Sequence, residues 1–140
     1  VENNISIYHS APKCVSRQVF KGVFNNKSSG LFDSCVYVNR GSHHTIAKQK
    51  NNNIVLSDQA AIRSNPKLEI FTDDVECAHG STTGQINEDA LFYLRSRGIP
   101  EMAAKNLILK SFLGEVLDEA TDDEAKNLMA SIINEGMKEN

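Results

Sequence analysis

No stretch of this chain approaches the length of a membrane span, cysteine is scarce, and basic residues do not outnumber acidic ones. The first absence excludes a membrane-crossing helix, which needs about 20 consecutive apolar residues. The formal net charge of −3 removes the electrostatic case for nucleic acid, which calls for a basic patch. Three cysteines in 140 residues are too sparse for a disulfide scaffold, and their odd number suggests a reducing compartment. No signal-peptide pattern opens the chain, but it starts at Val1 rather than Met, so that absence decides nothing. Catalytic motifs are missing too. There is no Ser-His-Asp signature, no pair of carboxylates at distinctive spacing and no dinucleotide fingerprint. The stretch Gly80-Ser81-Thr82-Thr83-Gly84 resembles a loop able to cradle an anion, yet no phosphate-loop lysine follows it, which argues against nucleotide binding.

What remains is a chain long enough for one domain with a real core, and it has two halves with different periods. Ile5 and Ile7 alternate, as do Val36 and Val38, with Leu31 and Phe32 just ahead of them. Ile54-Val55-Leu56, Leu68-Glu69-Ile70 and Val75-Glu76-Cys77 are further short runs rich in strand formers. Turn clusters separate them, among them Asn25 to Gly30, Asn39 to Ser42, Asn51-Asn52-Asn53 and Ser64-Asn65-Pro66. Short strands at this spacing fit a sandwich, a barrel or a β-solenoid, and no strict repeat chooses among them. The asparagine runs lean toward a solenoid, because side-chain amides can stack from coil to coil.

Past Gly84 the pattern becomes helical. Asn87 is placed to cap a helix, flanked by Ile86 and Leu91 at hydrophobic-staple spacing, with Glu88 and Asp89 at the positive end. Gly98 is a natural stop, and Pro100 suits the first turn of a second helix. Leu109, Phe112, Leu113, Val116, Leu117 and Ala120 form one apolar stripe. Thr121 and Glu124 have the spacing of a capping box for a third helix, whose stripe is Leu128, Met129, Ile132 and Ile133. The predicted strands therefore run to about His79, and the helices start at about Asn87.

Cys77 and His79 stand at the junction. In an extended segment they project from one face, and a thiolate beside an imidazole suits a soft metal such as iron or zinc. Two ligands do not close a metal site, so further groups must come from a second chain or from elsewhere in this one. Short C-x-H motifs also arise often by chance, as two ordinary side chains at a strand end. His43 and His44 are adjacent and so face opposite ways, which makes them a poor metal pair and better read as a solvated loop. Cys14 and Cys35 lie in apolar strand contexts as small buried hydrophobes. Arg95 and Arg97 are near a helix end, where cations suit the dipole, and serve equally as docking groups for an acidic surface.

The segments His79-Gly80-Ser81-Thr82-Thr83-Gly84 and Leu91-Phe92-Tyr93-Leu94-Arg95-Ser96-Arg97-Gly98-Ile99 resemble the signature of the SufB/SufD family of iron–sulfur cluster assembly scaffolds. Phe20-Lys21-Gly22-Val23, Asn51 to Ser57, Pro66 to Ile70 and Asp73-Asp74-Val75 match the family style in the same order, so the resemblance covers nearly the whole chain. Gly80 after the histidine is more like SufD, since SufB typically carries Glu there, and Ser81 departs from the usual Ala. The resemblance implies the C-terminal part of a longer chain: mainly β, with the last coils of a right-handed parallel β-helix over residues 1–84 and a small helical domain over 85–140. It implies no enzyme activity, a SufB-like paralogue or a second copy as partner, and docking of the SufC ATPase through Tyr93, Arg95 and Arg97. His79 is the leading metal- or cluster-related residue and Cys77 the second. No cofactor is expected on the isolated chain, and an iron–sulfur cluster only in the assembled complex. The implied location is the bacterial cytoplasm, or the plastid stroma in a eukaryote. The rival readings are a SufB or undifferentiated homodimeric scaffold, a polysaccharide-acting β-solenoid enzyme and a plain metal-binding module.

Overall fold

A computed structural model describes residues 1–137. Six strands come first: β1 Glu2–His9, β2 Val15–Phe24, β3 Ser29–Val38, β4 Ile46–Val55, β5 Ala61–Ile70 and β6 Glu76–Gly84. Three α-helices follow, α1 Glu88–Ser96, α2 Glu101–Gly114 and α3 Asp123–Gly136, with a short 3₁₀ turn at Leu117–Glu119. The odd strands form one parallel sheet in the order β1-β3-β5, and the even strands form another in the order β2-β4-β6. Each coil thus contributes one strand to each sheet. Of the architectures that the strand pattern left open, this is the β-helix-like solenoid.

Period two is plain along β4. Ala47, Gln49, Asn51 and Asn53 are buried inside the coil, while Ile46, Lys48 and Lys50 are exposed outside it. One end of the interior is apolar, with Val36, Val38 and Ala47 packed against Ile7, Leu68, Val75 and Cys77. Its middle is polar. Ser34 Oγ donates to Gln49 Oε1 at 2.7 Å, and Gln49 Nε2 donates to Gln18 Oε1 at 2.6 Å. An unpartnered buried polar group costs about 1–3 kcal/mol, and no buried side-chain N or O among the described residues lacks a hydrogen-bond partner. Farther along, the Phe20 and Phe32 rings meet at 4.9 Å. Gly22 and Gly30 make room there: a Cβ on either would lie within 2.7 Å of the Phe24 ring.

Amides do bridge the coils, though not as the stacked asparagines that the sequence suggested. The bridging pairs are Gln49 with Gln18, Asn65 with Asp33, and Asn52 with Thr82. Asn53 instead bonds Asn51 within its own strand. The repeat is carried by backbone geometry. Lys13, His44 and Asp74 each lie two residues ahead of an even strand, and each has a left-handed backbone with φ of 62°, 58° and 60°. They stack in register, and His44 Nδ1 pairs with Asp74 Oδ2 at 2.8 Å. His43 Nδ1 meets Thr72 Oγ1 at 2.9 Å. The two histidines are therefore turn residues at the surface.

The helices begin as their caps direct. Asn87 Oδ1 accepts from the Ala90 N–H, and Ile86 and Leu91 are buried in one cluster, completing the staple. Gly98, at φ 85°, closes α1: its N–H bonds the Arg95 carbonyl and that of Ile99 bonds the Leu94 carbonyl. Pro100 precedes α2 as its cap, and its carbonyl takes the first helical bond. Three details differ from the sequence reading, the first being that Pro100 stands just ahead of α2 rather than in its first turn. The stripe predicted through Ala120 breaks at Gly114, and α3 is capped by Asp122, whose side chain accepts from the Ala125 N–H, rather than by Thr121. Ile54, Ile86, Leu91, Ala104, Leu109 and Met137 form a core with Val23 and Leu56, so the helices pack against the outward side of the even-strand sheet.

Candidate functional site

β6 is the last strand of its sheet and carries both residues of the C-x-H motif. Cys77 lies opposite Ala47, His79 opposite Gln49 and Ser81 opposite Asn51. Those β4 residues are the buried inward row, so Cys77, His79 and Ser81 continue it into the end coil, which has a neighbouring coil on one side only. There His79 is exposed and Cys77 half-buried. Burial pushes the Cys77 thiol up from its ordinary value, with the Glu76 charge acting the same way against a lowering backbone hydrogen bond from Ala47. The shift disfavours the thiolate, which is the form that binds soft metals. Among the described residues no three His, Cys, Asp or Glu side chains converge as a metal site.

The Gly80–Gly84 stretch is strand, not the anion-cradling loop its composition resembled. Ser81 Oγ bonds Ser64 Oγ of β5 at 2.7 Å, and Ser64 Oγ donates to Asn51 Oδ1 at 2.8 Å, tying the end coil to the one beneath. Gly80 faces open space: a Cβ there meets nothing within 4 Å. Packing does not require glycine at that position.

Tyr93 and Arg95 lie in α1, and Arg97 is its C-cap. Arg97 Nη2 donates to the Tyr93 hydroxyl at 3.0 Å, and its guanidinium sits 5.3 Å from the ring centroid. Beside them Phe92 is 74% exposed and Tyr93 56%. Arg95 faces Glu101 at 3.5 Å. The Glu101 carboxyl is held below its usual range, chiefly by its hydrogen bond with Lys105 and then by the charges of Lys105 and Arg95. This aromatic and cationic surface and the β6 row are separate groups, each with its own hydrogen bonds and ion pairs.

A second feature escapes sequence reading. On the outward side of the even-strand sheet a cleft of about 520 Å³ is lined by Arg17, Lys21, Lys50, Asn52, Thr82 and Glu115, among others. Lys21 reaches the Phe112 carbonyl at 2.8 Å and the Glu115 carboxylate, and Arg17 reaches Glu119 at 2.6 Å. The one trace in the sequence is Lys21 itself, a charge on the same strand face as Val19 and Val23.

Residues 1–112 match the family described as the SUF system FeS cluster assembly, SufBD core domain. The chain is 35% identical over 118 residues to the iron-sulfur cluster assembly protein SufD of Escherichia coli, covering 84% of this chain and 28% of that protein. An iron-sulfur cluster assembly SufBD family protein of Synechocystis is 37% identical over 117 residues, covering 84% and 25%. The chloroplastic protein ABCI7 of Arabidopsis thaliana is 33% identical over 127 residues, covering 87% and 27%. The chain thus spans between 25% and 28% of the length of these curated relatives.

Proposed function

The chain belongs to the SufB/SufD family of iron–sulfur cluster assembly proteins, and from that premise we propose that it works as a SufD-like, non-catalytic scaffold. In this reading residues 1–84 are the last coils of a right-handed β-helix, and residues from 85 onward form a helical domain. The end coil pairs with a SufB-like subunit, and the α1 surface of Tyr93, Arg95 and Arg97 docks the SufC ATPase. The iron–sulfur cluster is cargo, held by groups from more than one subunit. The work takes place in a bacterial cytoplasm or a plastid stroma.

One observation carries this reading. His79 lies exposed on the inward row of the last coil, where a partner's coil can stack and where sheet edges are otherwise unpaired. An imidazole there can ligate iron or organise a partner's thiolate. Cys77 is the lesser contributor, because it is half-buried where His79 is exposed. The test is His79→Ala in the full-length protein, with its partners. The complex should still assemble and hydrolyse ATP, while cluster maturation in cells falls. Full maturation would remove both the ligand role and the organising role.

A homodimeric scaffold is the second reading, favoured by Cys77 and His79 lying on one row of one strand. Two copies meeting end to end would bring two thiols and two imidazoles together. Co-purification of the full-length protein followed by mass spectrometry separates a paralogue partner from a second copy.

A further inference from the structure

Lys21 is a cation with almost no contact with water. Its side chain is 3% exposed, although it belongs to the outward row of β2. Burying an ammonium is costly unless charge and hydrogen bonds compensate it. Three groups do so here, and all of them belong to the end of α2 and the residue after it. The Phe112 carbonyl accepts from Lys21 Nζ at 2.8 Å, the Glu115 carboxylate accepts as well, and Nζ lies 4.4 Å from the Phe112 ring centroid. Phe112 is in the last turn of α2, where carbonyls lack helical partners and the helix dipole is negative. That last turn contains no basic residue of its own. A strand of the first coil therefore supplies the cation that the helix lacks. Four residues earlier on the same row, Arg17 pairs with Glu119 at the end of the 3₁₀ turn. The outward row continues in register from Lys21 to Asn52 to Thr82, and Asn52 Nδ2 donates to Thr82 Oγ1 at 2.7 Å. Strands lie about 4.8 Å apart, so the two steps from β2 to β6 span about 10 Å. Thr82 is three residues along β6 from His79.

We infer that Lys21 is a positioning residue that locks the α2 end onto the solenoid, so that displacement of the helices is carried through the Lys21–Asn52–Thr82 row to the end coil. The lock stands on the contacts above. Its consequence for the end coil rests on the proposed docking of an ATPase on the helices.

Two measurements on the full-length protein with its partners test the two parts. The first is hydrogen exchange of Lys21→Met, which keeps an unbranched apolar stem but removes the ammonium and its charge. Amides of residues 112–119 should exchange about tenfold faster, while those of β2, β4 and β6 stay within about twofold. Unchanged exchange at 112–119 overturns the inference, whatever the protein's function. If Lys21→Met does not fold by circular dichroism, Glu115→Gln takes its place, with a smaller acceleration expected over 112–119 and none being the overturning result. The second measurement is cluster maturation in cells. With ATPase binding and hydrolysis unchanged, Lys21→Met should lower maturation about tenfold and Lys21→Arg should restore most of it. Normal maturation in Lys21→Met, or loss of ATPase binding in parallel with it, overturns the coupling. A wild-type complex that binds no ATPase would instead count against the proposed function and leave the exchange result standing.

Discussion

At Cys77 burial outweighs the help that an Ala47 backbone group gives the thiolate, and the neighbouring Glu76 adds to burial. Only the thiolate reacts with an alkylating agent, so raising the pKa moves the rise in reactivity to higher pH. The alkylation rate of Cys77, followed by mass spectrometry against pH, should therefore have its midpoint above the ordinary thiol value of 9.0. A midpoint below that value would mean an activated cysteine and reverse the ranking of Cys77 behind His79. The same shift has a sign for stability. The native state keeps its proton at pH values where the unfolded chain has lost it. This contribution is complete below the unfolded value and disappears as pH rises through the native one. Period two alone places Cys77 and His79 on one face. It does not reveal that Cys77 is half-buried and His79 exposed, because that depends on position along an end coil whose two sheets are built from distant strands. Lys21 was hidden for a similar reason, since its partners lie more than ninety residues away, at Phe112 and Glu115.

Among the elements, the caps were the most legible part of the sequence and also the place of one instructive error. Asn87 and Gly98 work locally, through bonds to residues a few positions away, so their identities were enough. Thr121 with Glu124 has the capping-box spacing, yet it is Asp122 that has the extended backbone and accepts from the Ala125 N–H at 2.7 Å. Asp122 is followed three residues on by Ala125, so no capping box forms; a single side-chain cap does the work, and the helix starts one residue later than the motif suggests. Asp122→Ala should therefore cost about 1 kcal/mol of α3 stability, whereas Thr121→Ala stays within about 0.5 kcal/mol. Hydrogen exchange of the α3 amides reads both, and a larger loss for Thr121 would restore the sequence-based cap. The stripe from Leu109 to Ala120 failed differently. Its periodicity is real, but Gly114 is a weak helix former and the next residues are drawn to β2 by Lys21–Glu115 and Arg17–Glu119. Tertiary contacts outweighed local period. The coils were only partly legible as strands: Asn51-Asn52-Asn53 and Ser64-Asn65-Pro66, read as turns from their composition, lie inside β4 and β5, where side-chain hydrogen bonds satisfy the polar groups of the coil interior. The repeat was not legible, since what recurs is a left-handed residue at Lys13, His44 and Asp74, three unlike side chains.

For the whole molecule, the solenoid end and the helical surface divide the proposed assembly between two faces. The first uses unpaired strand edges and the inward row of β6. The second uses exposed side chains of α1, with Arg97 held by Tyr93 through both a hydrogen bond and the ring face. A guanidinium held in this way loses less freedom on meeting a carboxylate than a mobile ammonium would. A graded series at Arg97 tests docking while leaving the end coil alone. Arg97→Lys keeps the charge but loses the planar contact, Arg97→Ala loses both, and Arg97→Glu reverses the charge. ATPase affinity should fall in that order, by about tenfold at Ala, which corresponds to about 1.4 kcal/mol. Pairing through the end coil should not change. Stability should move by no more than about 0.5 kcal/mol for Arg97→Ala, because the pair is exposed. Affinity that falls without following charge would point to contact through the rings of Phe92 and Tyr93. Equal affinity across all three variants would move the docking surface off α1, toward the Leu128 and Ile132 flank of α3, where two large apolar side chains are 61% and 59% exposed.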